Sequence, residues 1–325
     1  MVDLEPRRLS LLCELARRRS VTAVAQALHL TPTAVSQQLK VLEREAGTAL
    51  LTRVGRGVEL TDAGEALVLA ARDLEEARAR VEATWDAYRH RVAGVVSLSV
   101  YPTAGQALLP GLLLRLAVHP ELRLDVAEAD MVGDAYAART EKVDVVLAHR
   151  AWVDGTWSDG PAKDLVVRDL ASEPLDVVAP PGHRLAGLTE VTVADVADET
   201  WVGVPEGWPF DRALMAWFAA ADRLPRVGHR YTDLRVQEAL VAAGHGVALM
   251  PRQAVEHAVG GAGDARLVLR PVRPARTRAE RPVRRIAALA RPDRAVRVAV
   301  ATVLEALVAE AAEVPGWDPP DGAAG

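Results

Sequence analysis

Residues 20–43 read SVTAVAQALHLTPTAVSQQLKVLE, and the fold of the N-terminal part turns on this stretch. Ser20 stands just before VTAVAQAL, where a side-chain oxygen can accept from the unpaired amides of a first helical turn. Val21, Val24, Ala25 and Leu28 then fall on one side of that helix. A three-residue break, His29-Leu30-Thr31, follows. Pro32 begins a further helix, where its missing N–H is not needed. Val35, Leu39 and Leu42 give this helix an inner face, and Thr33, Ser36, Gln37 and Lys40 an outer one. Gly47 suits the left-handed position that ends it. Upstream, Leu9, Leu12, Cys13 and Ala16 mark the apolar face of a first helix.

A helix, a short turn and a second helix with a polar outer face can lay that second helix in the major groove of DNA. Thr31, Thr33, Ala34 and Ser36 are short enough for close approach to base edges. Gln37 can take adenine through two hydrogen bonds, and Lys40, one turn on, suits a phosphate. LLTRVGRGVELT (50–61) reads as two short strands around Gly55-Arg56-Gly57. Arg53 and Arg56 flank a tip that can enter the minor groove or touch the backbone. Residues 1–60 carry nine Lys/Arg against six Asp/Glu, and residues 94–325 carry 25 against 31. Charge alone fits ordinary surface variation better than a phosphate-facing head. By pattern alone, DNA binding stands only a little ahead of an ordinary helical subdomain.

Thr61 is placed to cap a long helix over 62–92. Leu67, Leu74, Val81 and Tyr88 recur every seven residues, as do Ala63, Ala70, Ala77 and Thr84. They form an a/d seam with charge between. A partner helix from a second subunit is the expected cover; the alternative is that the seam packs on its own domain.

From Val95 the period changes. VVSLSV, LRLDVAE (122–128) and VDVVLA (143–148) read as strands separated by helices at 106–118 and 132–141, a βαβαβ pattern with a parallel sheet. Further strands are expected at 175–179, 201–204, 246–250, 266–270 and 284–290, with helices at 211–220, 234–243 and 294–313. The Pro/Gly-rich end, 314–325, is expected to be disordered.

The 325 residues hold one cysteine, Cys13, which excludes a disulfide framework and any multi-cysteine metal site. No stretch is long and apolar enough for a membrane helix, the best being broken by Pro110, Gly111 and Arg115. MVDLEPRRLS lacks a signal peptide's apolar stretch, so a cytoplasmic protein is expected. None of the eight histidines has metal-motif spacing, and nothing near His245 completes a triad. GGAGDA (260–265) lacks phosphate-loop spacing. We expect no enzyme, cofactor or metal.

The run 20–43, followed by GTALLTR (47–53) and LTDAG (60–64), resembles the N-terminal signature of LysR-type transcriptional regulators. That family has, in order, an alanine-rich helix, a polar-x-x-(Ala/Pro)-Val-Ser recognition helix, a Leu-Glu…Gly…Leu-Phe-x-Arg segment and Leu-Thr-x-Ala-Gly. VAAGHGVALMP (241–251) is similar to its Gly-x-Gly-(Val/Ile)-x-x-x-Pro stretch. Leu51 replaces the usual Phe, Val24 a small Ala, and Gln37 a frequent Arg; the last changes the base contact and not the docking mode.

The resemblance implies an α/β protein in four parts. Residues 1–61 would be a winged helix-turn-helix that binds promoter DNA, and 62–92 a dimerising linker helix. Residues 93–313 would form a two-lobed α/β domain resembling periplasmic binding proteins, lobe I about 93–170 and 271–313, lobe II about 171–270. The tail completes the chain. DNA contacts are expected from Ser20, Thr31, Pro32, Thr33, Ala34, Ser36, Gln37, Lys40, Arg53 and Arg56. Partners would be double-stranded DNA, a small-molecule effector, further copies of the chain (dimer, then tetramer) and RNA polymerase, with no membrane. The alternative is a small-molecule-binding α/β protein whose N-terminal helices serve only in assembly.

Effector candidates come from the ends of strands, where open α/β sheets bind ligands. They are Thr103 and Ala104 in the turn after the first strand, then Met131, Arg150 and Thr232; Trp208, on a Gly/Pro-rich loop between the lobes, is a further candidate that would stack on a ligand or, equally, simply plug the cleft. For Thr103 a helix cap is an equal alternative, and for Arg150 a plain surface role is the better one. Tyr101 reads as core. Asp130, Glu206 and Asp233 would suit a cation instead, so the sign of the effector's charge stays open.

Overall fold

The computed structural model describes residues 4–54, 57–88, 92–155, 157, 160–258, 267–274 and 281–320. The chain divides into two units, Met1–Arg91 with Pro292–Val298, and Val92–Arg291 with Ala299–Gly325.

The first unit opens with α1 (Pro6–Arg18), α2 (Val21–Ala27) and α3 (Pro32–Ala46). Ser20 Oγ accepts from Ala23 N at 3.3 Å and Thr31 Oγ1 from Ala34 N at 3.2 Å, so both helices start where the capping residues stand. His29 takes a left-handed φ of 54° in the turn between them, a conformation that histidine tolerates better than most side chains. Gly47, at φ 69°, ends α3. Leu12, Val24, Val35, Leu39, Leu42 and Leu50 are buried in one core. Each such side chain contributes roughly 1.5–3 kcal/mol on burial.

β1 (Leu51–Val54) pairs antiparallel with β2 (Gly57–Leu60) as the expected wing, Leu51 opposite Leu60. Glu43 Oε1 accepts from Leu50 N at 3.0 Å and Leu51 N at 3.1 Å, pinning the wing's first strand to α3. α4 (Asp62–Tyr88) follows, with Thr61 Oγ1 accepting from Gly64 N at 3.1 Å. A Cβ at Gly64 would meet Leu50 O at 2.2 Å, so only glycine allows this approach.

The seam on α4 divides. Ala63 and Leu67 pack against the head's own core together with Val68 and Ala71. Leu74 and Val81 are 46% and 69% exposed. The first heptad therefore covers the head, and only the later stretch has an open apolar face.

In the second unit, β3 (Gly94–Val100) runs parallel to β4 (Leu122–Glu128) and β5 (Val145–Ala151), with α5 (Pro102–Leu116) and the short α6 (Ala135–Arg139) in the crossovers. β11 (Val283–Ala290) lies antiparallel between β5 and β6 (Val166–Ala179). The sheet order is β10-β6-β11-β5-β3-β4, with β9 (Ala248–Pro251) also paired to β6; β10 is Val268–Pro271. β6 has 14 residues. Its first part pairs with β11 and its last part with β9 and β10, so one strand passes from lobe to lobe. Sequence pattern marks a strand only at 175–179; the alternation before it is broken by Arg168 and Asp169, and the register shifts between Ile286 and Ala287.

The second lobe adds β7 (Thr200–Gly203) parallel to β8 (Arg226–Arg230), then α7 (Val193–Val196), α8 (Pro209–Ala219), α9 (Leu234–Ala242) and α10 (Arg252–Ala258). Trp201, Trp217 and Phe218 meet edge to face in its core. β8 is absent from the sequence expectation, because RVGHR is a largely exposed edge strand without apolar alternation. α11 (Pro292–Ala295) and α12 (Val298–Ala311) replace the single helix expected at 294–313.

The tail needs a larger correction. Residues 314–320 are ordered: Ser172 and Asp318 exchange backbone hydrogen bonds at 2.9 Å, and Val314 is buried. Apolar and aromatic residues among the prolines supply the anchor that composition conceals. Residues 321–325, like Arg56 and 260–265, lie outside the described residues.

Candidate nucleic-acid face and effector cleft

On α3 the capped N-terminus presents Thr31, Pro32, Thr33, Gln37 and Lys40 to solvent, with Ala34 and Ser36 half-buried at the same end. Val35, Leu39 and Leu42 anchor the opposite side. The Gln37 and Lys40 side chains bear no hydrogen bond or ion pair among the described residues, which leaves their donors available. Arg8 holds the helix from behind, through Gln38 at 2.9 Å and an ion pair with Glu45. Ser20, half-buried, serves α2 as its cap. Arg53 sits in β1 opposite Val58.

A cleft of about 880 Å³ opens in the second unit. Tyr101 and Thr103 come from the end of β3, Glu128 and Asp130 from the end of β4, His149 from β5 and Arg284 from β11. Trp208 and Phe210 come from the start of α8, with Thr232, Asp233, Arg235 and Glu238 at α9. The parallel pairing of Val100 with Glu128 brings the first two strand ends side by side.

Arg284 is the residue that sequence reading missed. It is only 2% exposed, and its Nε forms an ion pair with Glu173. Burial opposes its charge, but Glu173, with Tyr101 and Asp130 adding, holds the guanidinium above its ordinary range. Its Nη2 donates to Thr103 Oγ1 at 2.7 Å, and its plane lies over Tyr101 and Phe210 at 5.1 and 5.2 Å. Behind it, Trp317 Nε1 donates to Glu173 Oε1 at 2.9 Å. The tail thus buttresses the cleft floor. An arginine in an apolar strand, RRIAALA, is the available signal, because a buried charge needs a partner.

Tyr101 is buried, as expected, yet it also lines the cleft. Its ring lies 4.2 Å from that of His149. Burial raises the Tyr101 pKa, so the hydroxyl keeps its proton. Burial also holds the His149 imidazole below its ordinary value, against the pull of Asp130, leaving the ring neutral at pH 7. His149 Nε2 lies 3.4 Å from Asp130 Oδ1, which also accepts from Tyr136 Oη at 3.4 Å.

Of the six expected effector contacts, Thr103, Trp208 and Thr232 line the cleft. Ala104 is fully buried. Met131 packs against the cluster containing Tyr136 and Trp157. Arg150 lies over the Trp157 ring at 3.7 Å. These three lie off the cleft wall because each side chain is engaged elsewhere. Thr103 is no cap: the residue in that place is Tyr101, whose side chain makes no capping bond. Glu206 is 83% exposed and pairs with Arg230 at 3.6 Å. His245 is exposed between Gly244 and Gly246. A Cβ at Gly246 would meet Thr200 O at 2.3 Å, which explains the glycine there.

Two family profiles match the chain. "Bacterial regulatory helix-turn-helix protein, lysR family" covers residues 6–65 and "LysR substrate binding domain" covers 89–312. The chain belongs to the LysR family: it is a transcriptional regulator with a helix-turn-helix head and an effector-binding α/β domain. The regulator ShiR of Corynebacterium glutamicum is 32% identical over 240 residues, 70% of this chain and 79% of that one. The regulator CysL of Bacillus subtilis is 29% identical over 190 residues, 58% of this chain and 61% of that one. Among solved structures, a full-length, singly substituted OxyR from Pseudomonas aeruginosa matches with a TM-score of 0.68 at 20% identity, over 98% of this chain and 97% of that one. Full-length CbnR complexed with its target DNA matches at 0.51 and 22% identity, over 95% and 100%. Among the described residues no helix is long and apolar enough to cross a membrane.

Proposed function

We propose that this chain is a cytoplasmic regulator that grips a dyad-related promoter site as a homo-oligomer and changes that grip when a small polar effector fills the cleft. The observation that carries the reading is the outer face of α3. Thr33, Gln37 and Lys40 are exposed on a helix whose other side is locked into the head's core. Gln37 supplies base contact, Lys40 and Arg53 supply phosphate contact, and the short residues 31–36 allow the approach. The open stretch of the α4 seam, through Leu74 and Val81, supports a second copy as its cover. Assembly of dimers into a tetramer through the C-terminal domains, and contact with RNA polymerase, extend the reading by analogy with the family.

In the cleft, Arg284 can only donate, so Thr103 accepts from it and its hydroxyl proton is left for an effector oxygen. Trp208 and Thr232 line the same cleft from the other lobe. The chain acts by binding and not by catalysis. The domain limits 1–61, 62–92 and 93–313 are part of this proposal, with β6 as the strand shared by the two lobes. A gel shift of the full-length protein on the DNA flanking its own gene tests it. Retarded, competitor-resistant complexes are expected; a head that serves only in assembly would shift no duplex.

A further inference from the structure

The polar groups of the cleft fall into two unlike sets. Around the end of β3, Tyr101 and Thr103, joined by Arg284 from β11, offer hydrogen-bond donors, and Arg284 is already balanced by Glu173. At the end of β4, Glu128 and Asp130 offer carboxylates. No cation pairs with either within ion-pair distance among the described residues. Asp130 receives only the neutral donors Tyr136 Oη and His149 Nε2, both at 3.4 Å. Across the cleft Arg235 stands beside Asp233 and Glu238, so that wall adds no positive excess.

Two buried atoms between the sets mark the place of an occupant. Tyr101 Oη and His149 Nδ1 have no hydrogen-bond partner among the described residues, although the side chains are only 1% and 5% exposed. Buried polar atoms are rarely left so. Both residues line the cleft, and their rings, tilted by 33° with centroids 4.2 Å apart, bridge the donor set and the carboxylate set. With Nε2 directed at Asp130, Nδ1 is an acceptor. Tyr101 contributes a donor. A group that both gives and takes hydrogen bonds belongs there.

We infer that the effector is a small zwitterion of the amino-acid class, its carboxylate held by Thr103, Tyr101 and Arg284 and its ammonium by Asp130 and Glu128. This rests on the reading of the cleft as the effector site and goes beyond it by fixing the charge at both ends. A simple carboxylate would leave Asp130 and Glu128 repelling it. A simple amine would leave the donors of Thr103 and Tyr101 unpaired. The cleft's volume leaves room for a side chain against Trp208 and Phe210.

The experiment is a thermal-shift and calorimetric titration of the full-length protein with matched probes. After a screen of the common α-amino acids, phenylalanine, leucine and arginine are each set beside the decarboxylated amine and the desamino acid. The amines are phenethylamine, isoamylamine and agmatine; the acids are 3-phenylpropionate, 4-methylpentanoate and 5-guanidinopentanoate. An amino acid is expected to bind at least about tenfold more tightly than either partner of its set. Asp130→Asn, which keeps the side chain's shape, should remove that advantage over the desamino acid. A desamino acid that binds as well as its parent overturns the inference. If Thr103→Val weakens that acid, the cleft remains the effector site and only the charge assignment fails. Binding insensitive to both substitutions contradicts the cleft reading as well, and no binding by any probe overturns the inference.

Discussion

Arg284 Nη2 donates to Thr103 Oγ1 at 2.7 Å, joining the strand in the middle of the sheet to the first turn of α5. The same guanidinium is held by Glu173, itself held by Trp317 of the tail. Three segments far apart in sequence therefore fix one cleft-facing hydroxyl. Removing Glu173 leaves a buried, unpaired charge. Glu173→Ala should cost about 3–5 kcal/mol in denaturant unfolding of the second unit. Trp317→Phe, which removes one donor to a charged acceptor, should cost about 1.5–3 kcal/mol. Equal, negligible effects would show that the relay contributes nothing.

Gly64 tests the packing of the linker helix against the wing. A methyl group there meets Leu50 O at 2.2 Å. Gly64→Ala should destabilise the head by about 1–3 kcal/mol through forced displacement, seen as a lower melting temperature. The helix-propensity gain of alanine, about 1 kcal/mol, acts in the opposite sense and is smaller than the clash. An unchanged or raised melting temperature would contradict the close approach.

The open stretch of α4 predicts assembly. Val81→Glu places a charge on a 69%-exposed apolar position, so the monomer should fold normally. Sedimentation should then show a shift from dimer toward monomer. A monomeric wild-type protein, or an unaffected dimer, would send the apolar stripe to another role.

Glu238 gives the cleft a pH dependence. Burial first, with Asp233 adding, lifts its pKa to about 7 against the pull of Arg235. Its folded-state value lies above its unfolded one, near 4.5, so the folded state holds the proton more tightly. Its stabilising effect is present at low pH and is lost as pH rises from about 4.5 to about 7. Glu238→Gln should flatten that part of the melting-temperature profile. A profile identical to wild type would exclude Glu238 as the titrating group.

Much of the head is directly legible, because its determinants are local. Ser20, Thr31 and Gly47 cap the helices that their chemistry predicts, and Val35, Leu39 and Leu42 bury as their spacing requires. The α/β layout follows from strand periodicity, while β8 and the start of β6 escape because they carry charged residues on exposed or shared edges. The cleft is half legible. Strand ends point to Thr103 and Thr232 and an inter-lobe loop to Trp208, but Arg150 is drawn to Trp157 and Met131 to its core. Arg284 and Trp317 act through pairings 181 and 144 residues distant, and no local pattern announces such contacts. The seam on α4 is legible as apolar but not as divided, since which heptad meets the head depends on tertiary packing.

The most direct test follows duplex binding of wild-type protein and Gln37→Ala by fluorescence anisotropy across a salt series, on a selected operator and on a scrambled duplex. Tight operator binding that weakens steeply with salt is expected. Gln37→Ala should lose about 1–3 kcal/mol of base preference with the salt slope intact, while Arg53→Ala should flatten the slope on both duplexes. Equal affinity of wild type for operator and scrambled DNA, or equal losses from both substitutions on both duplexes, would contradict α3 as the element that reads sequence.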